Sequence, residues 1–217
     1  MVERHRFPMN YILERCCTGL TDVLTARAGG AARAELCRDL EVGGTTPSSD
    51  EITRCTAAGL PINVLVRPRG GSFVYSEEEI AAMAESIREC AACGVAAVVV
   101  GALDSAGDID LAACRLLVRE AGSLGLGLTF HRAFDCCRDP FLALEQIIEL
   151  GFDRILTSGQ QPSAMEGAPL IRKLIQKAGG RIAIMPGAGV TPSNIDTLHE
   201  LTGAVEFHGT RLCATRL

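Results

Sequence analysis

Leu126-Gly127-Leu128-Thr129-Phe130-His131-Arg132 is an apolar run that ends abruptly in charged and polar side chains. Seven similar runs end in charge, cysteine or glycine, at residues 12–17, 34–37, 62–69, 96–101, 155–159, 182–187 and 205–209. Segments with helical periodicity separate them. Strands that alternate with helices pair in parallel, so we expect the carboxyl ends of all eight strands to meet on one face. In parallel α/β barrels, that face carries the functional site.

The alternation of eight strands with seven interior helices predicts an α/β fold, a (β/α)8 TIM-type barrel. The even spacing of the units favours a barrel over the alternative, an open doubly wound sheet. Few residues follow the last run, too few for a complete eighth helix, so either the chain is shorter than a complete barrel or a neighbouring subunit covers the exposed flank. We expect a homo-oligomer. We expect one domain over residues 1–217, with residues 1–10 as an N-terminal extension.

Several polar residues mark where helices begin. Ser76 with Glu79 has the spacing of a capping box. Other start signals of this kind are Ser163 with Glu166, Asp139 before Pro140, and Thr191 before Pro192.

Composition excludes several classes of function. The net charge of −5, without a basic stripe, argues against a nucleic-acid partner. The chain has no apolar run long enough for a membrane span and no apolar signal-peptide centre, so we expect a cytoplasmic protein with no membrane partner. No nucleotide cofactor is predicted. Lys173 and Lys177, the two lysines, lie in a helical pattern, which argues against a Schiff-base aldolase.

Ten cysteines in a chain of this kind favour buried packing, metal binding or redox chemistry over a disulfide framework. Cys16 and Cys37 each follow a glutamate by two residues, at the ends of the first two strands. Adjacent strands lie about 4.8 Å apart, so these thiols should be neighbours, an arrangement that suits Cu(I). The alternative is that both fill the core. The remaining cysteines considered are Cys17, expected to face the helices, Cys136 and Cys137, in a loop at the mouth, and Cys55, Cys90 and Cys114, expected to serve packing.

Candidate anion ligands follow the later strands. Arg67 and Arg69, separated by proline and followed by two glycines, form a fork suited to carboxylate or phosphate. The alternative is an ion pair of these arginines with Glu14 or Glu35. The other anion-binding candidates are Arg132 and Ser158, after strands five and six, and Gly187 and Gly189, in a turn that supplies backbone amides or is merely a tight connection.

Acid-base candidates end the same strands. His131 suits a general acid or base, or a metal ligand, unless a neighbouring carboxylate satisfies it. Glu206 and His208 repeat the two-residue spacing on the eighth strand and are expected at the same mouth. The candidate catalytic residues are therefore Glu14, Glu35, His131, Glu206 and His208.

Together, these motifs resemble the CutC-type copper homeostasis proteins. The similarity rests on the motifs at residues 14–16, 35–37, 67–71, 129–135, 156–159, 185–189 and 206–208, and runs from about residue 11 to about residue 209. The resemblance implies a (β/α)8 barrel, cytoplasmic and often oligomeric, with Cu(I) binding proposed and no established reaction. By that resemblance, Cys16 and Cys37 are the copper ligands.

Two functional hypotheses follow. The first is a cytosolic copper homeostasis protein that binds Cu(I) through Cys16 and Cys37, with Cys17 or Cys136 assisting. The second is a barrel enzyme acting on a small anionic or phosphorylated metabolite. Arg67 and Arg69 would clamp the anion, the turn at residues 187–189 would hold it, and His131 with Glu14, Glu35 or Glu206 would exchange protons in acid-base catalysis. Whether the protein is an enzyme stays open at this point.

Overall fold

A computed structural model describes residues 11–213, in which parallel strands alternate with helices. The strands are β1 (Ile12–Cys17), β2 (Arg33–Leu36), β3 (Ile62–Leu65), β4 (Ala97–Val100), β5 (Gly127–Phe130), β6 (Arg154–Thr157), β7 (Ala183–Pro186) and β8 (Glu206–Gly209). The α-helices are α1 (Leu20–Ala28), α2 (Ser49–Thr56), α3 (Glu77–Ala92), α4 (Leu111–Ser123), α5 (Pro140–Leu150), α6 (Ala168–Ala178) and α7 (Ile195–Thr202).

The strands form one sheet in the order β7-β6-β5-β4-β3-β2-β1-β8, and β7 and β8 lie side by side to close it. This arrangement confirms the predicted (β/α)8 barrel. Up to Cys213 no α-helix follows β8. The proposed extension, residues 1–10, lies outside the described residues.

Helix starts follow the sequence signals in part. Ser76 caps α3 in a complete capping box with Glu79, and Asp139 caps α5. Two helices begin later than predicted. Ser163 accepts a hydrogen bond from the Glu166 amide, but this closes a separate turn, and α6 begins at Ala168, beside Pro169 in its first turn. Likewise a turn after Thr191 precedes α7, because the Asn194 side chain accepts a hydrogen bond from the backbone amide of Thr191.

Apolar side chains fill two compartments. The larger lies between the strands and the helices and contains fully buried residues such as Phe130, Phe134 and Phe207. Cys17 packs there, facing the helices as expected, as do Cys55, Cys90 and Cys114. The smaller lies inside the barrel and consists of Cys16, Cys37, Leu65 and Val99.

Charged side chains occupy the interior below that small cluster. Arg33 donates to Glu14 and, over 2.6 Å, to Glu206, which also accepts from Arg154 at 3.1 Å. Asn63 donates to Glu14 at 2.9 Å. We call Glu14, Arg33, Arg154 and Glu206 the interior charge network; its two acids and two bases balance. Because Glu14 and Arg33 are buried and Arg154 and Glu206 are partly buried, each charge depends on its partners.

Removing Arg33 should therefore destabilise the barrel strongly. We expect Arg33→Met to lower the free energy of unfolding by about 3–5 kcal/mol, because Glu14 and Glu206 lose a common partner in a low-dielectric interior. Urea denaturation followed by circular dichroism measures this. The matched control, Arg88→Met, removes an arginine that pairs with Glu85 and Glu120 on the protein surface and should leave stability nearly unchanged. Equal effects of the two substitutions would contradict the role given to the network.

Candidate functional site

A cavity of about 540 Å³ opens at the carboxyl ends of the strands. Parallel strands end there together, so residues far apart in sequence share its wall. Its lining is Cys16, Glu35, Cys37, Leu40, Gly43, Leu65, Arg67, Phe73, His131, Arg132, Leu156, Ala188, Gly189, Val190, Thr191, His208, Gly209, Thr210 and Arg211.

The thiols of Cys16 and Cys37 lie at the cavity floor with their Sγ atoms 3.6 Å apart. In the parallel β1–β2 pairing, Cys16 lies opposite Glu35. Cys37 is the next inward-facing residue after Glu35, so the two thiols come from neighbouring strands. The hydrogen bond with Cys37, burial and the charge of Glu35 all raise the pKa of the Cys16 thiol. Leu65 and Val99 form a small buried cluster with the pair. The result is a buried dithiol with access to the cavity.

His208 lies beside the thiol pair, between two carboxylates. Its Nδ1 is 2.8 Å from Glu14 Oε1 and its Nε2 is 3.4 Å from Glu35 Oε2. Burial would raise the pKa of Glu14, but hydrogen bonds and charges of His208 and Arg33 outweigh this and lower it to about 2. Burial, aided by the Glu14 charge, raises the pKa of Glu35 to about 7. The two glutamates therefore differ: Glu14 is ionised near pH 7, whereas the pKa of Glu35 lies close to neutral pH.

Arg67 forms one wall of the cavity and is 4% exposed. Its guanidinium donates to the carbonyl oxygens of Val42, Gly44 and Gly71 at 2.8–3.1 Å and stacks over the Phe73 ring at 4.7 Å. Within residues 11–213 it has no carboxylate partner, so the alternative of an ion pair with Glu14 or Glu35 is wrong. A buried cation whose partners are carbonyl oxygens and an aromatic ring has no negative charge beside it to compensate its own.

His131 lies on the same wall, with its ring 5.0 Å from that of Phe73. Its Nδ1 accepts the Ala133 amide at 3.2 Å, which puts the proton of the neutral ring on Nε2. Nε2 is buried and has no hydrogen-bond partner in the described part of the chain. Burial and the nearby Arg67 charge lower the pKa of His131 to about 3. The ring is therefore neutral near pH 7.

Arg132 reaches the cavity rim from the end of β5. It pairs with Asp135 at 2.8 Å and donates to Ser158 Oγ at 2.9 Å. Asp135 also accepts from Thr157 Oγ1, Ser158 and Gln160, and so ties the end of β5 to the end of β6. Ser158 is fully buried behind Arg132 and does not line the cavity.

Several other candidates also lie away from the cavity wall. Glu14 and Glu206 belong to the interior charge network; Glu206 is the first residue of β8, so it lies below the mouth. Arg69 points outward to Glu79. Gly187 lies beneath the wall, where a Cβ would come within 2.5 Å of Leu156 Cδ1. Cys136 is exposed and absent from the lining.

Sequence reasoning missed residues that support or line the site. Arg33 is two residues before Glu35, so the alternation Arg33-x-Glu35-x-Cys37 was a signal for an inward polar face. Asn63 precedes Arg67 by four residues on β3 and its extension, with the same parity. Phe73, Thr191 and Arg211 come from loops and carried no periodic signal.

His131 provides a direct test of this electrostatic description. Because its folded pKa of about 3 lies below the usual 6.5, the unfolded chain takes up the proton first as pH falls, and the group costs stability between those values. We expect nitrogen-15 NMR of the imidazoles to show His131 as the neutral Nε2–H tautomer at pH 5. A ring that protonates with a midpoint above pH 6 would contradict the description.

Comparison with known proteins agrees with this geometry. The family model described as the CutC family matches residues 11–213. A CutC family protein of Parabacteroides distasonis is 50% identical over 202 residues, 92% of this chain and 82% of that protein. The structure of CutC from Streptococcus agalactiae, a protein named for copper homeostasis, superposes with a TM-score of 0.88 at 37% identity, over 93% of this chain and 99% of that one.

An aldolase, QR15, superposes with a TM-score of 0.73 at 14% identity, over 96% of this chain and 94% of that one, which shows a shared fold alone. None of the helices within residues 11–213 has the length and apolar character needed to cross a membrane. The family match spans the barrel and every strand end that lines the cavity, and the chain is therefore a member of the CutC family.

Proposed function

We propose that this protein acts in copper homeostasis by binding Cu(I) between Cys16 and Cys37. The observation that carries the proposal is the separation of 3.6 Å between two Sγ atoms that face a cavity. Thiolates are soft ligands, which Cu(I) prefers over oxygen donors. Leu65 and Val99 pack with the two thiols in one buried cluster. The donors present thus fit the ion that the family name implies.

Neither of the other two cysteines considered as assisting ligands is near this pair on the cavity side. Cys17 points to the helices, and Cys136 is exposed outside the cavity. We therefore propose a site with two thiol ligands, open on its cavity side.

Loss of either thiol should weaken Cu(I) binding. We expect Cys16→Ser and Cys37→Ser each to lower the affinity by at least the factor of about 10–100 that loss of an outer-shell partner costs, because serine is a hard oxygen donor. Competition against a chromogenic Cu(I) chelator measures this under anaerobic conditions. Cys93→Ser is the matched control, since Cys93 ends α3 and contacts Thr53 outside the cavity. Unchanged affinity in both site variants would refute the proposal.

The cellular setting and assembly are proposals as well. All ten cysteines are free thiols, which favours a reducing compartment, so we propose the cytoplasm. Exposed apolar side chains, Leu24, Leu201 and Val205 among them, lie on α1, on α7 and just before β8. We propose that a second copy of the chain covers this flank in a homo-oligomer.

A second candidate function is an enzyme that acts on a small anionic or phosphorylated metabolite. The observation in its favour is the uncompensated charge of buried Arg67 next to His131, whose Nε2 has no partner in the described residues. Two thiol ligands for copper need neither group. In this function an anion would contact Arg67 and Arg132, and Glu35 and His208 would exchange protons with it.

A thermal-shift screen of small carboxylates and sugar phosphates tests this candidate. A ligand present at 100 times its Kd should stabilise the folded protein by about 2.7 kcal/mol, enough to raise Tm measurably. We expect Arg132→Gln to reduce the shift and Arg88→Gln, far from the cavity, to preserve it. A flat response across the panel, with only metal ions stabilising, would exclude the candidate.

A further inference from the structure

Three different metal-binding side chains converge at the cavity floor. The ligand atoms of Cys16, Glu35 and His208 all lie within 4.8 Å of one another, and all three residues are buried. They come from β1, β2 and β8, which are neighbours in the sheet, so the barrel backbone itself sets their separation. Cys37 lies outside this trio, although its Sγ is near that of Cys16.

The spacing fits a tetrahedral ion of the zinc class. Nitrogen and oxygen ligands bind Zn²⁺ at about 2.0–2.2 Å, which places two such atoms about 3.4 Å apart across a tetrahedral angle. His208 Nε2 and Glu35 Oε2 are 3.4 Å apart. Small side-chain rotations would bring Cys16 Sγ to its own bonding distance of about 2.3 Å.

His208 is already oriented as a metal ligand. An ionised carboxylate only accepts hydrogen bonds, so Glu14, 2.8 Å away, fixes the His208 proton on Nδ1 and leaves Nε2 directed toward Glu35. Metal-bound histidines almost always carry such a carboxylate or carbonyl on the other nitrogen. Glu14 is in turn held by Arg33 and Asn63. These hydrogen bonds to Glu14 hold His208 in its orientation, which an accidental cluster of polar side chains would not require.

We propose that Cys16, Glu35 and His208 form a three-ligand site for a zinc-class divalent ion, Zn²⁺ or Co²⁺. A donor set of one sulfur, one nitrogen and one oxygen suits such borderline ions, and the two anionic ligands balance the double charge. All three residues line the cavity, so the ion's fourth position faces it, as in zinc sites that bind water or a substrate.

This site goes beyond the proposed copper function and can be separated from it. The two sites share Cys16, but Cu(I) requires Cys37, whereas the zinc-class ion requires Glu35 and His208. The variants Cys37→Ser, Glu35→Gln and His208→Gln therefore distinguish them, and failure of one proposal leaves the other standing.

The experiment is a titration of the reduced, full-length protein with Co²⁺, followed by optical absorption, and then displacement by Zn²⁺. We expect one equivalent to bind with tetrahedral d–d bands and a thiolate-to-cobalt band that Cys16→Ser abolishes. Glu35→Gln and His208→Gln should each lower the affinity by about 10–100-fold or more, and Cys37→Ser should keep it. Circular dichroism checks that each variant is folded. If either Glu35→Gln or His208→Gln fails to fold, the other variant still tests the proposal.

Three results would overturn the proposal. One is the absence of stoichiometric Co²⁺ and Zn²⁺ binding by the unaltered protein. The second is binding that only the cysteine substitutions weaken, which would assign these ions to the dithiol alone. The third is binding that none of the variants changes.

Discussion

The contact of Arg33 with Glu14 and Glu206 is the interaction on which the rest of the structure depends. β7 and β8 stand at opposite ends of the hydrogen-bonded strand order, so side chains help to close the barrel there. Arg154 of β6 reaches Glu206 of β8 across this seam, and Arg33 of β2 contacts both Glu206 and Met185 of β7. Buried charges are tolerated only when they are paired. The four residues of the interior charge network therefore constrain the relative positions of β1, β2, β6 and β8.

The same network positions the chemistry above it. Glu14 accepts from Arg33 on one side and orients His208 on the other, so a residue that stabilises the barrel also sets the direction of a cavity side chain. Above this layer the thiols of Cys16 and Cys37 pack against Leu65 and Val99, with Glu35 and His208 near Cys16, and Arg67 and His131 lie on the cavity wall. One cavity thus contains side chains suited to a soft metal ion, to a borderline metal ion and to an anion.

Much of the fold could be predicted from sequence, because strand ends carry local signals. Alternation placed Cys16, Cys37 and His208 at the mouth, since residues two apart on a strand share a face. Glu206 has the same parity as His208, but depth along the barrel depends on strand stagger, which no local pattern reveals; it lies in the network instead. Arg69 shares a motif with Arg67, yet it pairs with Glu79, which forms the capping box with Ser76, and so points outward. The late starts of α6 and α7 reflect local turns, because the bonds of Ser163 with Glu166 and of Thr191 with Asn194 close a turn before each helix instead of capping it.

Binding of Cu(I) by Cys16 and Cys37 is tested best by a crystal structure of the protein loaded with Cu(I), with anomalous diffraction recorded at the copper absorption edge. We expect one strong anomalous peak between the Sγ atoms of Cys16 and Cys37, at the cavity floor. A peak at another cysteine, such as exposed Cys136 or Cys93 at the end of α3, with none at the floor, would contradict it.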